Sequence, residues 1–307
     1  MTAAHDTVRT PYELADVPGW FPHLDQVLFD WFLTHQETHA VRGDLLEVGV
    51  YMGKSAIFLG RHLQEGEAYT VCDLFEGEAP DGANRAETTK SYAELTREAF
   101  ESNYLSFHDE LPRVLQGPSS IVPAEVAPRS CRFVHVDGSH LYQHVRDDIG
   151  AAREVLRPGG IVALDDFRSE HTPGVSIAAW EAVLNRGLNP VCLSGQKLYG
   201  TWDDPKDLQE DLLEMVRGRE DCSLSVQDAA GHRIIRLKGR GMAAPAFPPS
   251  RHVRPSAPEP RPQAPKARPQ VPAAARRGGR ARRIAVDLLP PVVTRTLRRA
   301  RSRRRTS

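Results

Sequence analysis

The sequence predicts an α/β fold: a doubly wound, mostly parallel seven-stranded sheet closed by an antiparallel strand. Three observations carry this expectation. Short apolar runs alternate with stretches whose apolar residues recur at helical spacing, the pattern of a parallel sheet covered by helices on both faces. A glycine-containing turn follows the first of these runs and opens a helix. The last two runs are joined by a turn far too short for a crossover helix, so they must pair antiparallel.

Each element has its own signal. In residues 20–38, Leu24, Val27, Leu28, Trp31 and Phe32 share one helical face, and 1–40 reads as an N-terminal helical extension. Residues 41–239 read as one domain. In it, residues 44–50 form a buried strand, 54–64 a helix, 68–73 a second strand and 87–103 a helical run. Strands follow at 113–116, 132–137 and 161–165, with a helix over 141–156 that ends at Pro158-Gly159-Gly160. A helix over 176–185 leads to the closing pair, 190–193 and 197–202. A helix near 207–216 and a hairpin over 223–237, turning at Ala230-Gly231, decorate this body. The order is that of a Rossmann-like sheet with its ligand crevice at the C-terminal strand ends.

Charge divides the chain in two. Lys plus Arg and Asp plus Glu both number 40, but 18 of the basic residues and only two acids, Glu259 and Asp287, lie from Arg240 onward. The body is therefore an anion near −16 and the tail a cation near +16. Residues 240–283, rich in Pro and Arg, read as a disordered linker, because they cannot bury enough apolar surface to fold. Residues 284–307 carry Leu288, Leu289, Val292, Val293 and Leu297 among many arginines, a basic and amphipathic pattern suited to an anionic membrane surface or another polyanion. The four cysteines form no metal-ligand or disulfide spacing. No apolar run reaches the length of a membrane span, and the start has no secretory signal pattern. The expected location is cytoplasmic, peripheral to the membrane if the tail binds there. A homo-oligomer is compatible with the sequence.

Three constellations carry chemistry. Glu47-Val-Gly49-Val-Tyr51-Met-Gly53-Lys-Ser55 joins the first strand to its helix. Glycines there allow a tight turn and close ligand approach, with free N–H groups at the helix start. Its Glu-x-Gly-x-x-x-Gly spacing is not the Gly-x-Gly-x-x-Gly of dinucleotide binders. Asp73 ends the second strand, where a carboxylate accepts both hydroxyls of a ribose; as an ordinary residue it would satisfy a turn. Asp137 ends the fourth strand, and Asp165 and Asp166 end the fifth. Three carboxylates with no compensating basic residue nearby call for a hard cation such as Mg²⁺; as ordinary residues they would cap helices. His140, three residues after Asp137, is placed to take a proton from a substrate hydroxyl, with Asp137 beside it. His171, in the loop after the fifth strand, is a candidate for substrate contact.

The first motif resembles that of metal-dependent small-molecule O-methyltransferases related to catechol and caffeoyl-CoA O-methyltransferases, with Lys54 where those enzymes usually carry Tyr. The block from Val136-Asp-Gly-Ser-His-Leu-Tyr142 through Pro158-Gly-Gly160 to Asp165-Asp166 resembles the macrocin-type and mycinamicin-type sugar O-methyltransferases and cephalosporin-hydroxylase-like proteins. The resemblance implies a class I S-adenosylmethionine-dependent methyltransferase. It places the cofactor on Glu47, Gly49, Tyr51, Gly53, Ser55 and Asp73, with Ser119 and Ser120 at the adenine. It also implies Mg²⁺ on Asp137, Asp165 and Asp166, His140 as general base, and a sugar or phenolic hydroxyl as acceptor. Three other readings compete. The basic tail suits a methyltransferase acting on nucleic acid or another polyanion. A nicotinamide-dependent oxidoreductase is disfavoured by the missing dinucleotide fingerprint. A non-catalytic binding module is disfavoured by the carboxylate cluster.

Overall fold

A computed structural model describes residues 10–79, 82, 84–85 and 95–252. The tail over 284–307, most of the linker and part of the 87–103 run lie outside the described residues. The helices are α1 (His23–Thr38), α2 (Lys54–Gly60), α3 (Arg97–Leu105), α4 (Val122–Glu125), α5 (Tyr142–Val155), α6 (Pro173–Asn185) and α7 (Lys206–Val216). The strands are β1 (Asp44–Val48), β2 (Tyr69–Asp73), β3 (Arg113–Gln116), β4 (Cys131–Val136), β5 (Leu156–Leu164), β6 (Asn189–Leu193), β7 (Leu198–Thr201), β8 (Cys222–Ala229) and β9 (His232–Gly239).

The sheet runs β3-β2-β1-β4-β5-β7-β6-β9-β8. β3, β2, β1, β4 and β5 are parallel neighbours, and β7 pairs antiparallel with both β5 and β6. The seven expected strands are all present in the expected order. The hairpin does more than decorate: β9 joins β6 in parallel at Leu193 and Arg236, so the sheet continues to nine strands. The chain winds from β1 out to β3, then returns to place β4 on the other side of β1. That reversal opens a crevice at the C-terminal strand ends, between β1 and β4.

Side-chain alternation on the strands builds two cores. Leu45, Phe133, Ile161 and Ala163 face α1, α2 and α3, whereas Leu46, Val134, Val162 and Leu164 face α5 and α6. The first helix, α1, is a full member of its layer. Phe29 packs edge-on to Phe133 with ring centroids 5.0 Å apart, and Gln36 Nε2 donates to the Arg132 carbonyl at 2.7 Å. Helix and sheet thus form one compact unit.

The boundary expected at residue 240 moves to about 252. Met242 is buried, and the Phe247 ring stacks on Phe58 at 5.6 Å. Ser250 N–H donates to Tyr12 O at 2.8 Å and Arg251 N–H to Ser106 O at 2.9 Å. A few apolar anchors therefore hold a proline-containing segment that has no periodicity of its own. Among the described residues no helix is long and apolar enough to cross a membrane.

Candidate active site

A cavity of about 1080 Å³ opens over the ends of β1, β2, β4 and β5. One half is built by the turn after β1. Gly49 has φ 81°, and a Cβ there would lie 2.0 Å from the Asp137 carbonyl oxygen, so only glycine lets β1 and β4 end side by side. Tyr51 also adopts positive φ, and Gly53 caps α2 in the left-handed conformation. Asp73 holds this turn shut. Its Oδ2 accepts from Val50 N at 2.8 Å and Tyr51 N at 3.2 Å, and its Oδ1 accepts from Phe75 N at 2.8 Å. Burial pushes its carboxyl up against these three backbone donors.

Gly49, Tyr51, Ser55, Asp73, Ser119 and Ser120 all line the cavity. Glu47 and Gly53 do not. Glu47 is fully buried below the floor, where it accepts from Ser55 Oγ at 2.5 Å and Tyr69 OH at 2.6 Å and faces His135 Nδ1 at 2.7 Å. It orients Ser55 and the turn from beneath. Gly53 belongs to the turn that starts α2.

The other half gathers Asp137, His140, Asp165, Asp166, Ser169 and His171. The two aspartates that end β5 diverge. Asp166, with φ 51°, turns toward α5 and α6, where its Oδ2 accepts from His140 Nε2 at 2.9 Å and its Oδ1 from Ser169 Oγ at 2.6 Å. Burial raises its pKa, but the bonds from His140 and Ser169 outweigh burial and hold it below the usual carboxylate range. The His171 ring sits 6.3 Å from that of His140, centroid to centroid.

Asp165 turns the other way, onto a residue the sequence reading missed. Lys197, 1% exposed, donates from Nζ to Asp165 Oδ2 and lies 3.1 Å from His135 Nε2. The rings of Phe21 and Phe29 flank the ammonium at 5.9 and 5.8 Å. Burial opposes its charge, but the carboxylates of Asp165, Asp137 and Asp25 outweigh that and raise its pKa. Asp165 is correspondingly held far below the usual range, burial notwithstanding, while burial and the Asp165 charge push Asp137 well up.

These contacts correct the expectation that the three carboxylates lack a basic partner. At this end of the cavity the donors that converge on one point are His135, Asp137 and Asp165, without Asp166. Of these, His135 is committed to Glu47 and Lys197, and both oxygens of Asp165 already accept, from Asp166 N–H and from Lys197. The donor set is arranged around an ammonium, and it does not fit the three-carboxylate Mg²⁺ cage expected from Asp137, Asp165 and Asp166. His135 carried a faint sequence signal, a histidine inside a strand that is apolar apart from Arg132. Lys197 carried none, because its partner is set by the antiparallel pairing of β7 with β5.

Residues 46–167, which carry Gly49, Asp73, Asp137, His140, Asp165 and Asp166, match the family described as "Methyltransferase domain". A methyltransferase domain is thus what the central part of the chain is similar to. Among solved structures, the chain is similar to CalS11, a TDP-rhamnose 3'-O-methyltransferase of calicheamicin biosynthesis. The identity is 19% over 59% of this chain and 80% of that one, with a TM-score of 0.40. It is similar to the O-methyltransferase NovP at 19% identity over 57% and 78% of the two chains, TM-score 0.46. It is also similar to TomG from Streptomyces achromogenes, solved with S-adenosylmethionine, at 17% identity over 72% and 79%, TM-score 0.33. No curated protein matches this chain.

Proposed function

We propose that this protein moves the methyl group of S-adenosylmethionine to a hydroxyl of a small molecule, a sugar or a phenol, with His140 as the general base. The observation that carries this reading is the His140–Asp166–Ser169 chain, which faces the same cavity as the turn from Gly49 to Ser55. Tyr51, Ser55 and Asp73 hold the methionine and ribose parts of the donor in one half of the cavity, and the acceptor enters the other, near His171. The acceptor oxygen attacks the methyl carbon in line with its bond to sulfur. As the O–C bond forms the C–S bond breaks, its electron pair neutralises the sulfonium, and the hydroxyl proton passes to His140. Asp166 fixes the orientation of the imidazole and stabilises the imidazolium, and solvent later removes the proton. Much of the rate comes from holding the two reactants in line.

No step of this reading runs through Mg²⁺, because Lys197 supplies positive charge to the carboxylates. A nucleic-acid target is not favoured, since the cavity wall on the acceptor side is acidic. Changing His140 to Ala is expected to lower kcat by about 10²- to 10⁴-fold while S-adenosylhomocysteine affinity stays the same. Equal kcat in the variant and the parent would remove His140 from the mechanism. Treatment with a chelator should leave the rate unchanged. A rate lost on chelation and restored by Mg²⁺ would mean that Asp137 and Asp165 leave Lys197 for the ion.

A further inference from the structure

A second group of metal-ligating side chains stands between α1 and α7, and none of its members lines the cavity. His35 and His39 are four residues apart, so the last turn of α1 and its C-cap bring both rings to one side. Asp211 reaches them from α7, its Oδ2 2.9 Å from His35 Nε2. One ring nitrogen from each histidine and one Asp211 oxygen all lie within 4.8 Å of one another. Neighbours hold the group in place. Trp31, one turn earlier, packs against the His35 ring with centroids 5.2 Å apart, and the His35 and His39 rings stack at 4.0 Å. His39 Nδ1 lies 2.8 Å from the His35 carbonyl, and a ring that donates there keeps a lone pair on Nε2 for an ion.

We propose that His35, His39 and Asp211 bind Zn²⁺, which clamps α7 onto α1. Two imidazoles and a carboxylate are zinc donors, and the exposure of His39 and Asp211 leaves a fourth, tetrahedral position to water. Zinc ligands held at about 2.1 Å stand about 3.3 Å apart. The His35–Asp211 approach already has that spacing, and the exposed His39 side chain closes the rest. The setting attracts a cation, because the carbonyls that end α1 carry partial negative charge and the body is an anion near −16. Zinc hydrolases that use two histidines at this spacing carry a Glu base directly after the first. Here that position is Gln36, whose amide donates to the Arg132 and Gly159 carbonyls, so the ion joins helices and has no base beside it.

The test is calorimetric titration of the full chain with ZnCl₂ at neutral pH, for the parent, His39→Ala and Asp211→Asn. Both side chains are exposed, so the variants keep the fold. Asn at 211 still offers His35 a hydrogen-bond partner and removes only the anionic ligand, which separates an ion site from an ion pair. Zinc held by the cavity group of His135, Asp137 and Asp165 would be untouched by either change. The parent is expected to bind with a dissociation constant below about 100 µM, and each variant about 10-fold more weakly or worse. Zinc should also raise the melting temperature of the parent by about 3 °C and leave both variants unmoved, because an ion held only by the folded chain stabilises it. Parent binding weaker than about 100 µM, or a variant that loses less than about 10-fold, overturns the site. Zinc bound by the parent with no gain in melting temperature overturns the clamp.

Discussion

Arg132 sits fully buried on β4 with Glu67 as its counter-ion at 2.9 Å, while its guanidinium also donates to Gln36 Oε1 and the His62 carbonyl. Burial raises the Glu67 pKa, but bonds from Arg132 and from the Gly43 and Gln64 backbone outweigh it and lower it. A lowered acid contributes stability above its unfolded value near 4.5 and loses it as pH falls through the folded value. Glu67→Gln should therefore cost about 3–5 kcal/mol in urea unfolding at pH 7, and the gap to the parent should shrink as pH drops below 4.5. A pH-independent gap would mean that shape rather than charge holds the pair. At this scale the site was legible wherever function sits at a strand end. Asp73, Asp137, His140, Asp165 and Asp166 all fall at the crevice that strand order dictates. Partners were illegible. That Asp166 bonds His140 while Asp165 bonds Lys197 depends on a left-handed backbone at Asp166 and on which strand lies beside β5.

Among the elements, the turn after β1 is the least tolerant. Gly49→Ala adds a methyl at positive φ against the Asp137 carbonyl. Strain of this kind costs about 1–3 kcal/mol, and spreading β1 from β4 should also abolish S-adenosylhomocysteine binding in calorimetry. Retained binding would show that the two strand ends separate without harm to the cavity. The segment after β9 is a second test. A chain ending at His252 should melt about 5 °C above one ending at Gly239, because the shorter chain uncovers the sites of Met242 and Phe247. Equal melting temperatures would return the domain boundary to residue 240. Apolar periodicity revealed every strand of the body and each of its described helices but the single turn of α4, since the strand period and the helix period are distinct. It missed the segment over 240–252, whose anchors are too few to make a period, and it could not show that the hairpin edge continues the sheet.

For the whole molecule, a body near −16 joined to a tail near +16 predicts attraction of the tail to polyanions that the body itself repels. Sedimentation with anionic vesicles should show binding that weakens with salt and disappears on deletion of residues 284–307, at about 1 kcal/mol per arginine near the surface. Unchanged binding after the deletion would assign the attraction elsewhere. The central claim concerns the cavity: donor in one half, base in the other. A crystal structure of the full chain with S-adenosylhomocysteine tests it most directly. The account predicts the ribose at Asp73, the adenine at Ser119 and Ser120, and the sulfur facing the His140–Asp166 pair across open space for an acceptor. A nucleoside bound elsewhere, or one whose sulfur points away from His140, would contradict it.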